Sequence, residues 1–258
     1  MYESLGRKIW RVISPLLIHI VIYAIVLLAA SLILESLGNN VFETNTWMTE
    51  HAAILTSIAL VITIPILYLY FKHDYAIRSD EIFKKPKWIL IFAALAITCS
   101  HGLSLLLSLF LNTGLANGYD TVETAIYSSS IILLIVRGVI LAPVCEELLF
   151  RGLVFRRMKE YTSFWPAAIV SSLIFAVYHM NVIQGIFAFV FGLVLCFVYH
   201  RFQNLIASMI THAVGNLLSV ILTLTAFQYP SPVLYYIIMA VFLLIAIYLV
   251  FFVVKKRD

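Results

Sequence analysis

Three short stretches in the second half of the chain hold residue types that could do chemistry together. CEELLFR, residues 145–151, supplies Glu146, Glu147 and Arg151; FAVYH supplies Phe175 and His179; HAVGN supplies His212 and Asn216. The pairs Glu147/Arg151, Phe175/His179 and His212/Asn216 are each spaced i, i+4, so on a helix both members lie on one face. Glu146 is turned about 100° from Glu147, which gives the two acids different neighbours and different roles. A carboxylate withdrawn from bulk water works as a general base, and a neutral histidine can hold the same water. A second histidine and an asparagine amide can donate to an oxyanion forming on a peptide carbonyl, where one donor is worth about 2.7–4 kcal/mol of barrier. With Arg151 paired to Glu147, these are the parts for hydrolysis of an amide by water.

The elements that must position these residues are membrane helices. The 258 residues are 63% hydrophobic and 12% charged, against about half and a quarter in a soluble domain. The expected fold is therefore all-α, a single polytopic integral-membrane domain over residues 1–258. A net charge of +4 gives no reason to expect a nucleic-acid partner, and Cys99, Cys145 and Cys196 all fall in apolar sequence, which argues against a disulfide framework. The basic N-terminus precedes an apolar run of full membrane length with no small-residue cleavage site, so no signal peptide is expected.

At about 20 apolar residues per crossing, eight spans are predicted, at 13–35, 51–71, 88–111, 131–158, 164–180, 184–200, 203–224 and 232–254. Lys and Arg occupy alternate connections: Arg7, Lys8 and Arg11; then Lys72, Arg78, Lys84, Lys85 and Lys87; then Arg151, Arg156, Arg157 and Lys159; then Arg201; then Lys255, Lys256 and Arg257. The intervening connections have none, and by the positive-inside rule both termini are then cytoplasmic. The turn MNVIQ, residues 180–184, joins two short helices and is expected to stop inside the bundle. With a rise of about 1.5 Å per residue, Glu146, His179 and His212 lie roughly 18, 22 and 14 Å from the cytoplasmic ends of their helices. Those depths are close enough for the groups to surround one water. Arg137 is expected to snorkel toward the outer face, and His19 and His101 to pack inside helices.

In their order and setting, Glu146-Glu147-Leu-Leu-Phe-Arg151, Phe175-Ala-Val-Tyr-His179 and His212-Ala-Val-Gly-Asn216 resemble the CPBP intramembrane protease family, also called the Abi or type II CAAX prenyl endopeptidase family. The likeness covers about residues 135–220, looks like that of a bacterial member, and shows no departure from the three motifs. It implies an eight-helix bundle in the bacterial cytoplasmic membrane with a cavity open to the cytoplasmic side. It implies that Glu146 activates water with His179, and that His212 and Asn216 form the oxyanion hole. Glu147, Arg151 and Phe175 then have structural roles. No cofactor is required on this reading. Zinc held by Glu146, His179 and His212 stays an alternative, with suitable ligand types but no HExxH spacing. The implied substrate is a hydrophobic, lipidated or membrane-associated peptide, as in CAAX, pheromone or bacteriocin processing or self-immunity.

Other readings have weaker marks. A non-proteolytic membrane scaffold or regulator of the same family stays open, since intact motifs do not prove turnover. A transporter would use buried Glu and His as proton relays, but no inverted repeat is visible. GxSG and HExxH are absent, and Asp74, Asp80, Asp120 and Asp258 all fall outside the predicted spans, which sets aside rhomboid, site-2 and aspartyl intramembrane chemistry. Cys145 in apolar surroundings is a poor nucleophile.

Overall fold

The computed structural model describes residues 4–75, 86–111, 130–225 and 227–255, and among these residues it holds helices and no strand. In chain order they are α1 (Leu5–Ser36), α2 (Val41–Glu50), α3 (Ala52–Asp74), α4 (Lys87–Ser108), α5 (131–159), α6 (Phe164–Tyr178), α7 (Val182–Phe202), α8 (Leu205–Leu224) and α9 (Pro232–Lys255). Six of them, α1, α3, α4, α7, α8 and α9, are long and apolar enough to cross a membrane. The other two predicted spans are α5 and α6, and each departs from a regular crossing.

Helix α5 is a rod of five segments, with π-helical turns at Val136–Leu141 and Glu147–Phe155. Pro143 accounts for the first. It has no N–H to give the preceding turn and its ring crowds that turn, so the backbone shifts to i→i+5 bonds just before it, a substitution common at functional sites. Helix α6 has only 15 residues, about 22 Å. It ends at His179 and Met180, whose φ of 54° breaks the helical path. Asn181 then caps α7 by accepting the Gln184 N–H. A tight turn is therefore present at the expected place, with Met180 and Val182 exposed.

The rod is the centre of the bundle. It packs against α1, α3, α6, α7 and α8, while α4 and α9 pair with each other and α8 joins α4 to the rod. All nine residues of Glu147–Phe155 are buried. By contrast α1 and α9 leave most of their Leu, Ile and Phe surface outside the bundle, the pattern of a helix face that meets lipid.

Two expectations change here. The connection at 36–50, read as a loop, contains α2, which begins with a capping box in which Asn40 and Glu43 bond each other's backbone N–H. The first helix begins at Leu5 rather than near 13, capped by Ser4, so Arg7, Lys8 and Arg11 sit on its first turns. Of the basic residues used for topology, Arg78, Lys84 and Lys85 lie outside the described residues, as do Lys256 and Arg257, and so do Asp80, Asp120 and Asp258.

The basic ends of α1, α3 and α5 are fastened together by ions. Arg157 Nε donates to Asp74 Oδ2 at 2.7 Å, with the two side chains 4% and 12% exposed. Arg157 also donates to the Arg11 carbonyl, and Arg11 bonds Glu160 at 2.9 Å. Breaking a buried pair by removing one partner strands the other charge, at about 3–5 kcal/mol. Asp74→Ala is expected to lose about 3 kcal/mol, seen as a lowered unfolding midpoint in detergent, and a midpoint equal to wild type would show that the helices are joined by other contacts.

Candidate active site

The two adjacent acids of α5 take opposite environments. Glu147 is fully buried, and its Oε1 accepts from Arg151 Nη1 at 2.9 Å and meets His212 Nδ1 at 2.9 Å. Arg151, also fully buried, uses Nη2 on the Gly192 carbonyl of α7 at 3.1 Å and lays its guanidinium over the Phe175 ring, 4.5 Å from the centroid. The expected Glu147–Arg151 pair is thus present, and it has a third member that sequence did not suggest. His212 stands between the two carboxylates, with Nε2 3.6 Å from Glu146 Oε2. That separation is too long for a hydrogen bond, so Nε2 is not committed there.

Glu146 opens onto a cavity of about 410 Å³. His179 and Asn216 line the same cavity, as do Arg137, Gly138 and Tyr178. The rest of the wall mixes apolar residues such as Leu60, Leu134 and Phe187 with polar ones such as Ser104, Gln184 and Ser219. His179 Nδ1 lies 2.8 Å from the Phe175 carbonyl. A carbonyl only accepts, so the proton is assigned to Nδ1 and the lone pair to Nε2. His179 therefore offers an acceptor to the cavity it lines.

Asn216 is placed by a backbone defect. In the π turn the Ala142 N–H bonds the Arg137 carbonyl, and the next residue, Pro143, has no N–H. The Gly138 carbonyl is left without a helical donor, and Asn216 Nδ2 supplies one at 2.8 Å. One amide N–H is thus used to tie α8 to α5, and the second remains for the cavity.

Of the sequence-predicted residues, Glu146, His179 and Asn216 are brought onto one wall, His212 lies behind Glu146, and Glu147, Arg151 and Phe175 form the buried support. Phe175 is packed among His179, His212 and Phe150, with ring centroids 4.8, 5.8 and 4.8 Å away. Cys145 is buried and does not line the cavity. Among the described residues no three His, Cys, Asp or Glu side chains are grouped as a metal site.

Three readings gain detail. Arg137 lines the cavity. His19 and His101 do more than pack: His19 bonds Tyr178 OH at 2.9 Å and Thr63 at 3.4 Å, and His101 bonds Tyr229 OH. Finally, the cavity lies at the end of the bundle away from the basic clusters. It runs from Glu146, midway along α5, to the last turns of α4 and α6 and the first of α7. These lining residues fix the position of the cavity along the bundle and do not assign the side of the membrane to which it opens.

Gly192 is a structural member of the site that sequence reasoning passed over. A Cβ there would stand 3.0 Å from Arg151 Nη2 and 3.0 Å from Ser172 Oγ, both fully buried. Gly192→Ala is expected to cost about 1–3 kcal/mol by overpacking, measured by thermal unfolding. Gly138→Ala, whose Cβ meets nothing within 4 Å, should leave the midpoint near wild type, and equal effects at both positions would contradict the packing account.

Comparison with known proteins points to the same stretch. The chain is 29% identical over 92 residues to the "Putative membrane peptidase YdiL" of Bacillus subtilis (strain 168), a match spanning 36% of this chain and 38% of that protein. No solved structure gives a significant match. Residues 128–218, which contain every candidate site residue from Glu146 to Asn216, match the family described as type II CAAX prenyl endopeptidase Rce1-like.

Proposed function

We propose that this protein is an intramembrane endopeptidase that hydrolyses a peptide bond with water activated by Glu146. The observation that carries the proposal is the shared cavity. A carboxylate, an acceptor imidazole and an amide from three different helices line one chamber, an arrangement costly to build in a membrane without a use. The similarity of residues 128–218 to a prenyl endopeptidase family supports the same reading.

In this mechanism water lies between Glu146 and His179 Nε2. Glu146 takes its proton as the oxygen attacks the carbonyl carbon, and later delivers that proton to the leaving amine. The products are a new carboxyl terminus and a free amine. Asn216 donates its second amide N–H to the oxyanion. His212 donates from Nε2 when the ring is protonated, the state in which its other N–H stays on Glu147. The apolar part of the wall, from Leu60, Leu134, Ile183 and Phe187, fits a hydrophobic or lipidated peptide entered in extended form, and Glu147 and Arg151 act by holding His212. We place both termini and the basic helix ends on the cytoplasmic side from the charge pattern.

The test uses fluorogenic hydrophobic and prenylated peptides with purified wild type and Glu146→Ala. General-base catalysis contributes typically 10²–10⁴-fold, so the variant should fold with a wild-type unfolding midpoint and lose at least about 100-fold in rate. A chelator should leave wild-type cleavage intact. Equal cleavage by the variant would contradict the role of Glu146, and loss of cleavage to the chelator alone would assign the water to a metal.

A further inference from the structure

A second cavity, of about 200 Å³, lies at the basic end of the bundle, where α5 and α7 meet the end of α3. At about 30 Å³ per water it has room for a small polar group. Its wall includes Tyr75, Arg156, Lys159, Glu160, Tyr199 and His200. Arg156 and Lys159 are one turn apart on α5 and both face it. Arg156 Nη1 donates to Tyr199 OH at 3.0 Å, and its guanidinium lies 3.6 Å from the centre of the Tyr75 ring. Lys159 Nζ donates to His200 Nδ1 at 2.8 Å.

All these partners are neutral or aromatic. Among the described residues neither Arg156 nor Lys159 meets a carboxylate, while the neighbouring cations Arg11 and Arg157 are paired with Asp74 and Glu160. The wall's own acid, Glu160, is already engaged by Arg11 and by Tyr75 OH. Among the described residues, two like charges thus share a half-buried chamber whose one acid, Glu160, is held by other partners. Between them they carry eight N–H donors, of which the bonds above use two.

We propose that this cavity binds a phosphate group. A phosphate brings the compensating charge and several acceptor oxygens to a fork-shaped guanidinium and an ammonium. The chamber also sits at helix ends, where basic pockets meet lipid headgroups. The same chemistry is offered by an anionic lipid headgroup and by a free phosphate. The site is separate from the Glu146 cavity, and the proposal does not depend on proteolysis.

The experiment uses the full chain in a neutral detergent at constant ionic strength. Dihexanoyl phosphatidic acid, dihexanoyl phosphatidylcholine and sodium phosphate are titrated in turn, and the thermal unfolding midpoint is followed. A saturable rise is expected with phosphatidic acid and none with the zwitterionic lipid. Lys159→Gln should weaken the apparent affinity at least tenfold, and Lys87→Gln, an exposed cation at the same end, should not change it. A rise with sodium phosphate of the same sensitivity identifies a free phosphate as sufficient, whereas a rise with the lipid alone identifies the headgroup. Arg156→Gln gives a second reading of the same site should Lys159→Gln lower the basal midpoint. No saturable rise with either probe, or unchanged affinity in both cavity variants, would overturn the proposal.

Discussion

The arrangement depends on one buried carboxylate. Glu147 has no contact with solvent, and its Oε1 is shared between Arg151 and His212. An ion taken out of water costs several kcal/mol unless it is well paired, so each partner must be held where it is. Arg151 is fixed by the Gly192 carbonyl and the Phe175 ring. His212 is fixed by Glu147 itself, and its other nitrogen is thereby turned toward Glu146. The acid that touches no cavity thus sets the geometry around the acid that does. Three helices besides α5 contribute to this one contact: α6 through Phe175, α7 through Gly192 and α8 through His212.

The backbone of α5 supplies the second constraint. In hydrocarbon every N–H and C=O must find a partner inside the protein. Pro143 removes one donor, the π turn passes the Ala142 N–H to Arg137, and the carbonyl of Gly138 is completed by Asn216. A side chain expected to serve a reaction therefore also seals a gap in a helix. The two uses are compatible because an amide has two N–H bonds. The same irregularity explains why α5 is not among the helices apolar and regular enough to cross on composition alone, even though every residue of its Glu147–Phe155 segment is buried.

Much of this was legible in the sequence, for identifiable reasons. Hydrophobic runs of membrane length mark α1, α3, α4, α7, α8 and α9, because apolar content and rise per residue are local properties. The i, i+4 spacings placed Glu147 with Arg151, and His212 on the face of α8 that carries Asn216. Helix α2 was missed because only four of its ten residues are apolar and the run is short, although Asn40 and Glu43 spell out its cap. Contacts between distant residues were not readable. Nothing in the spacing joins Glu147 to His212, sixty-five residues on, or shows that Gly192 leaves room for a guanidinium. The side on which the cavity lies was also hidden, since it is a property of how helix ends splay and not of any one helix.

The central claim is that the buried Glu147–Arg151 pair acts as a unit on which the site is built. A double-mutant cycle on unfolding free energy, with Glu147→Gln, Arg151→Gln and the two together, measures it directly. Each single change leaves an unpaired buried charge and should cost about 3 kcal/mol or more. The double variant leaves none, and should fall short of the summed costs by more than about 1 kcal/mol. Costs that simply add would contradict the account, and would mean that the two residues, although 2.9 Å apart, are stabilised independently of each other.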